Sequence, residues 1–318
     1  MLLCKFFLFG YKRKSMGNTL GVLDGVRLNF SEGGLLFMNF TLALIMFGVA
    51  LEIDVHKFKA VIVKPKPVIV GLIAQYLMLP LITFLLVMLI RPTPSVALGM
   101  ILVASCPSGN IANFLTWMAK GNVELSVTLN AIATLLAVFL VPLNFSFYGN
   151  LYNEAQHIMV PISIDGWQML KTVFLLLGLP LILGTLFAWR FPALAKKITK
   201  PMKTISLIVF FGFIIAALSA NFSHFLRYIH LIILLVFVQN AIVVLSGYLL
   251  ARASKLELNN IKTITIESGI HNSGLALVLI FNPKLFNGLG GMAFIAAWWG
   301  IWHIIVGLGI AHYFSKKQ

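Results

Sequence analysis

Apolar residues dominate this chain in runs of about twenty, divided by short polar and often basic stretches, from near residue 34 to the C-terminus. At 1.5 Å per helical residue, such a run matches the ~30 Å hydrocarbon core of a bilayer. Nine windows have that character: 34–53, 67–90, 95–119, 123–148, 167–189, 203–221, 226–251, 263–281 and 290–314. They predict an all-α integral membrane protein of about nine transmembrane helices, with no room for a water-soluble domain. Composition agrees. The 318 residues are 60% hydrophobic and 10% charged, with mean hydropathy +0.97, whereas soluble domains carry roughly 25% charged residues. Residues 1–33 read as an N-terminal extension, outside and partly disordered, and 34–318 as the membrane domain. The apolar start, with Lys5 in it and Lys12, Arg13 and Lys14 after it, is too short and wrongly ordered for a cleaved signal. Met16 is an alternative first residue.

The net charge of +15 changes the picture only as a topology signal, because the basic residues cluster between apolar runs and not along a helix face. Nucleic acid is therefore not an expected partner. Loops after the first, third, fifth and seventh spans, together with the C-terminus, hold fifteen Lys and Arg; the opposite loops hold Arg91, Lys171, Arg227 and Lys284. The bias puts the C-terminus in the cytoplasm and the N-terminus outside a plasma or inner membrane, although five basic residues precede the first span. Cys4 and Cys106 provide neither a disulfide framework nor metal-ligand spacing.

Two spans are interrupted. The third contains Ser105-Cys106-Pro107-Ser108-Gly109-Asn110, and proline without a donor next to permissive glycine predicts unwinding around Pro107 and Gly109. The eighth contains Glu267-Ser268-Gly269-Ile270-His271-Asn272, with a second break expected at Gly269. Unwound backbone at membrane depth is tolerated where it is buried or lines a cavity, and paired interruptions point to a secondary transporter's binding site. The alternative is a pair of kinked structural helices. Of nine acidic residues only Glu267 lies deep in a predicted span, and an ionisable group there is by default functional. A bound hard cation such as sodium, which favours oxygen ligands, would offset its cost; so would a protonated carboxyl bonded to a backbone carbonyl.

The run Cys106 to Leu135, CPSGNIANFLTWMAKGNVELSVTLNAIATL, resembles the signature of the bile acid:sodium symporter family. ESGIHNSGL at 267–275 is similar to its E-x-G-x-Q-N stretch, QYLMLP at 75–80 to its Q-[FY]-x-x-M-P pattern, and Trp302-His303 to a W-H pair in its last helix. The resemblance covers the chain from about residue 34 and implies inverted repeats, a panel domain (34–53, 167–189, 203–221) and a core domain (67–148, 226–314) whose two broken helices cross. It implies a nine-span form like the animal carriers. It also implies one sodium site from Asn113, Ser126, Asn130 and Glu267, with Ala112 standing where the family has a serine and Asn130 where it has a threonine. A second site would use Gln75 and Glu267, but His271 replaces the family's glutamine. Imidazole suits sodium poorly, and a protonated His271, four residues after Glu267 on one helix face, would mimic the ion; the alternative is a neutral His271 that hydrogen-bonds across the crossover.

By the same resemblance Asn110, Asn272 and His303 border the substrate, with Ile304 in place of a frequent asparagine. Trp298, Trp299 and Trp302 are either pocket walls or packing groups. The expected function is sodium-coupled symport of a small organic anion, bile acid-like or a small carboxylate, by alternating access. The alternative is a sodium-independent or proton-coupled carrier in which His271 replaces an ion. A remote alternative, an intramembrane enzyme, lacks an H-E-x-x-H set, a nucleophile elbow or a phosphate loop. Sodium is the one implied cofactor, no organic cofactor is expected, and the partners are the anion and the bilayer, with no obligate protein partner.

Overall fold

The computed structural model describes residues 23–26, 32–51, 65–152, 165–199 and 222–316, with positions 201, 202, 204, 205, 208 and 212. Among the described residues the chain is helical, without a strand, as the apolar runs predict. The elements are α1 (Glu32–Ala50), α2 (Pro65–Ile90), α3 (Pro94–Ser105), α4 (Ile111–Met118), α5 (Val123–Leu151), α6 (Gly166–Arg190), α7 (Phe222–Ala253), α8 (Leu258–Gly269), α9 (Ser273–Phe281) and α10 (Gly290–Ser315). Among the described residues five stretches are long and apolar enough to cross a membrane: α2, α5, α6, Ile232–Ala253 within α7, and α10. The third and eighth spans are each split into two half-helices, α3/α4 and α8/α9, and the sixth, 203–221, lies outside the described residues apart from isolated positions.

Local chemistry sets the helix starts. Asn122 precedes α5 and its side chain accepts from Leu125 N at 3.0 Å; Asp165 precedes α6 and accepts from Trp167 N at 2.9 Å and Gln168 N at 3.2 Å. These caps satisfy amides that have no partner within their helix. Two helices change register midway. Ala74–Met78 in α2 and Phe174–Gly178 in α6 are π turns, each followed directly by Leu–Pro, Leu79-Pro80 and Leu179-Pro180. Proline has no N–H, so the carbonyls a turn earlier lose a helical donor, and a wider turn is one way to absorb that loss.

Packing follows the small residues. A side chain on Gly291 would stand 2.0 Å from Ser95 Oγ, and one on Gly99 2.7 Å from Met292 Cα, so α3 and α10 run side by side in backbone contact. Around this seam lies the main core, including Leu98, Ile101, Leu275, Ile295 and Trp299. Outer faces carry exposed apolar stripes at helical spacing, Leu77, Leu81 and Leu85 on α2 and Phe139, Leu143 and Phe147 on α5. That is the pattern a lipid-facing surface requires.

Four residues of the N-terminal stretch are integrated into the bundle. Leu23 is buried in the main core, Asp24 Oδ1 accepts from Ser95 N at 2.9 Å, and Val26 O accepts from Gly290 N at 2.9 Å. Within the stretch read as a partly disordered extension, an apolar side chain and two hydrogen bonds fasten 23–26 to the starts of α3 and α10. Residues 1–22 and 27–31 lie outside the described residues.

The α1–α6 contact makes a test of this packing. A Cβ on Gly184 would meet Ala50 Cβ at 2.6 Å and Phe47 O at 2.7 Å, whereas one on Gly33 meets nothing within 4 Å. Gly184→Val is expected to destabilise the protein by about 1–3 kcal/mol through overpacking, read as a lowered melting temperature in detergent. Gly33→Ala serves as the control that leaves it unchanged.

Candidate functional site

The two interruptions meet. Between Ser105 and Ile111, and again between Gly269 and Ser273, the backbone leaves helical geometry; Cys106 and Ile270 are extended, at φ −73°, ψ 148° and φ −110°, ψ 110°. Gly109 N donates to Ile270 O at 3.3 Å and Asn272 N to Pro107 O at 2.8 Å, an isolated antiparallel bridge centred on Ser108 and His271. Backbone groups freed by Pro107 and Gly269 are thus satisfied by the other break, which is what unwound backbone away from water needs. The crossover expected from the resemblance is present, and the predicted breaks at Pro107, Gly109 and Gly269 fall in it or at its edge.

Beside the crossover, Glu267 is buried at 1% exposure on the last turn of α8. Ser126 Oγ bonds to Glu267 Oε1, Asn130 Nδ2 donates to Oε1 at 3.0 Å, and Gln75 Nε2 reaches Oε2 at 3.4 Å. Asn113 Oδ1, from the first turn of α4, lies 2.8 Å from Ser126 Oγ and 3.0 Å from Asn130 Nδ2. All four residues assigned to the first sodium site, and Gln75 of the second, therefore form one cluster drawn from α2, α4, α5 and α8.

Helical spacing explains the convergence. Asn122, Ser126 and Asn130 follow one another a turn apart on α5, as do Thr263 and Glu267 on α8. Asn122 N donates to Thr263 Oγ1 at 2.8 Å and to Asn259 O at 3.2 Å, and Asn122 Nδ2 to Asn260 Oδ1 at 2.9 Å. This polar clamp pins the starts of both helices together and sets Ser126 and Asn130 level with Glu267.

The donor set fits a hard cation. Gln75 Oε1 and Asn130 Oδ1 are buried oxygens with no hydrogen-bond partner, and the single Ser126 hydroxyl proton faces both Asn113 Oδ1 and Glu267 Oε1. Oxygens outnumber the protons available to bridge them, the condition an oxygen-seeking ion relieves. Ala112 contributes nothing: it is fully buried in a separate apolar cluster with Leu115, Ile266 and Ala311.

His271 reaches across the crossover and does not pair with Glu267 on one helix face. Because α8 ends at Gly269, His271 lies in extended backbone and does not share a helix face with Glu267. Its Nδ1 stands 3.1 Å from Cys106 O and its Nε2 3.2 Å from Ser268 O, with the ring edge-on to Trp299 at 5.2 Å. The proposed substrate residues surround the same crossing. Asn110 is the residue before α4 and is exposed; Asn272 caps α9 through Leu275 N at 3.0 Å. Helix α10 passes across both, with Gly300 against Ser273 and Gly307 against Leu115 and Ile270, and His303 is buried between those contacts.

Sequence reasoning missed three contributors. Ser108, at the centre of the crossover bridge, keeps a buried hydroxyl oxygen without a hydrogen-bond partner, hidden within a motif read only for its helix break. Asn240 Nδ2 donates to Gly269 O at 2.8 Å, and Gln239 Nε2 to Met100 O at 3.1 Å, tying α7 to the second break and to α3. Two adjacent amides inside an apolar run were the available signal.

Comparison with known proteins agrees with this geometry. Residues 39–227 match the Sodium Bile acid symporter family. The chain is 32% identical over 281 residues to the uncharacterized sodium-dependent transporter YocS of Bacillus subtilis, covering 88% of this chain and 84% of that protein. It is 28% identical over 254 residues to the human ileal sodium/bile acid cotransporter (77% and 70%). It is also 28% identical over 268 residues to a probable sodium/metabolite cotransporter, chloroplastic BASS1 of Arabidopsis thaliana (83% and 63%). Some longer relatives are matched over about half their length, such as the human P3 protein at 54%. The family and these relatives are transporters, not enzymes. This chain belongs to the sodium bile acid symporter family.

Asn130 is the member of the cluster that donates both to Asn113 and to Glu267. Asn130→Leu is expected to lower stability by about 1–3 kcal/mol, the cost of leaving buried acceptors without a donor, measured by thermal melting in choline chloride.

Proposed function

We propose that this protein is a secondary active transporter that couples sodium to the uptake of an organic anion. The observation that carries the reading is the Glu267 carboxylate held among Asn113, Ser126, Asn130 and Gln75, with unsatisfied buried oxygens on Gln75 and Asn130, directly beside two crossed helix breaks. Asn113, Ser126, Asn130 and Glu267 would hold one sodium ion through oxygen. Bound there, the cation supplies positive charge against a buried carboxylate and draws α4, α5 and α8 onto one point.

An anion fits the neighbouring space. Half-helices α4 and α9 begin at the crossing, and helix starts carry a partial positive charge of roughly 0.5 units. Trp299 Nε1, Trp302 Nε1 and His303 Nδ1 are buried nitrogens without a partner, available to an acceptor. Asn110 and Asn272 border the same place. The names of the relatives, a bile acid cotransporter and a metabolite cotransporter, support this class of substrate.

In the mechanism we infer, a panel made of α1, α6 and the span at 203–221 moves against a core made of the remaining helices. The two halves are inverted repeats and the C-terminus is cytoplasmic. Sodium favours the substrate-binding arrangement by coupling free energy, so that each ligand raises the affinity for the other.

His271 favours a second reading of the coupling. Both of its ring nitrogens face backbone carbonyls, which only accept; neutral imidazole has one N–H, whereas the doubly protonated ring satisfies both. A proton on His271 would then stand in for a second sodium.

Sodium-dependent thermal stabilisation of the purified protein, with choline holding ionic strength, tests both readings. Wild type should gain ~1.4 kcal/mol at tenfold the half-saturating sodium concentration, and Glu267→Ala should lose the effect. A wild type indifferent to sodium would sink the sodium reading. If a proton occupies the second place, His271→Gln removes the pH dependence of the sodium response; an unchanged pH profile in that variant would rule the proton out.

A further inference from the structure

Gln75 reaches Glu267 from the middle of a membrane helix, and the register that aims it there is not α-helical. It lies in the π turn Ala74–Met78, where Leu79 N donates five residues back to Ala74 O. A π turn carries one extra residue, so its loss would rotate Gln75 by about 100° relative to the rest of the helix. Pro80 has no N–H to offer the carbonyls of Gln75 and Tyr76, one turn earlier. Tyr76 O is instead met from outside: Asn144 Nδ2, on α5, donates to it at 2.9 Å. The Tyr76 hydroxyl bonds to Ala133 O on the same helix. Two bonds from α5 thus hold the residue next to Gln75, and Asn144 supplies the one that replaces the donor lost to proline.

We propose that Asn144 is a positioning residue for the ion site: by capping Tyr76 O it holds the π turn in the register that points Gln75 at Glu267. The inference rests on the reading of the Glu267 cluster as a sodium site. Asn144 is half-buried and touches none of the cluster residues that would bind the ion. It acts through the backbone of α2, and its effect passes entirely through Gln75.

A double-mutant cycle on the full-length protein decides the matter. Asn144→Leu, Gln75→Ala and the double variant are compared by the sodium concentration giving half-maximal thermal stabilisation, and by melting temperature in choline alone. Asn144→Leu should raise the half-saturating sodium concentration roughly 3- to 10-fold, the worth of one hydrogen bond. In the Gln75→Ala background the same change should add nothing, because its target is gone. If Asn144→Leu does not fold, Asn144→Ala removes the same donor with less bulk. A sodium response within about twofold of wild type, or effects that multiply undiminished in the double variant, would overturn the proposal. Were wild type itself unresponsive to sodium, the ion reading would fail, and the cycle on melting temperature in choline would still judge the positioning: coupling between the two sites upholds it, independence overturns it.

Discussion

Backbone amides and carbonyls inside a membrane have no water to turn to, and in this protein the two unwound segments answer that constraint by bonding to each other. Gly109 N to Ile270 O and Asn272 N to Pro107 O convert two broken helices into one crossing. The crossing fixes where four half-helices end or begin. From that follow the place of Glu267 on the final turn of α8, the place of Asn113 on the first turn of α4, and the passage of α10 across both breaks.

The ion cluster depends on a second layer of constraints, set a turn or more away. The Asn122–Asn259–Asn260–Thr263 clamp aligns α5 with α8 before either helix reaches the site. Asn240 holds the carbonyl at the end of α8, and the π turn of α2 delivers Gln75 from the far side. A buried carboxylate is costly unless it is bonded or neutralised. Here the carboxylate is bonded by side chains from α2 and α5, and Asn113 of α4 in turn bonds the two from α5. The same polar groups placed in hydrocarbon around Glu267 also specify how the helices pack.

Much was legible in the sequence because the membrane imposes a simple code. Long apolar runs had to be helices, a proline–glycine pair within one had to interrupt it, and a lone glutamate at depth needed polar companions. The family motifs then named Asn113, Ser126, Asn130 and Gln75 as its companions, and the structure brings all of them to Glu267. Of the two readings of His271, the pairing with Glu267 fails for a local reason: a four-residue spacing implies a shared face only while the helix continues, and α8 stops at Gly269. The place of residues 23–26 was not legible because their anchors, Ser95 and Gly290, lie far along the chain.

What the sequence determined by itself is the class of structure and the kind of chemistry: helices that cross a bilayer, two breaks, and one acid with oxygen-bearing neighbours. These are properties of composition and short-range spacing, and burial in hydrocarbon leaves them few alternatives. Only the tertiary structure decided which break bonds to which, that Ala112 turns into an apolar cluster, and that both nitrogens of His271 face backbone carbonyls. Only it revealed that Asn144 takes the carbonyl beside Gln75. Apart from the local contact of His271 with Ser268, the hydrogen bonds among these outcomes join residues 68 to 165 positions apart, and no local pattern records which distant donor a freed carbonyl will find.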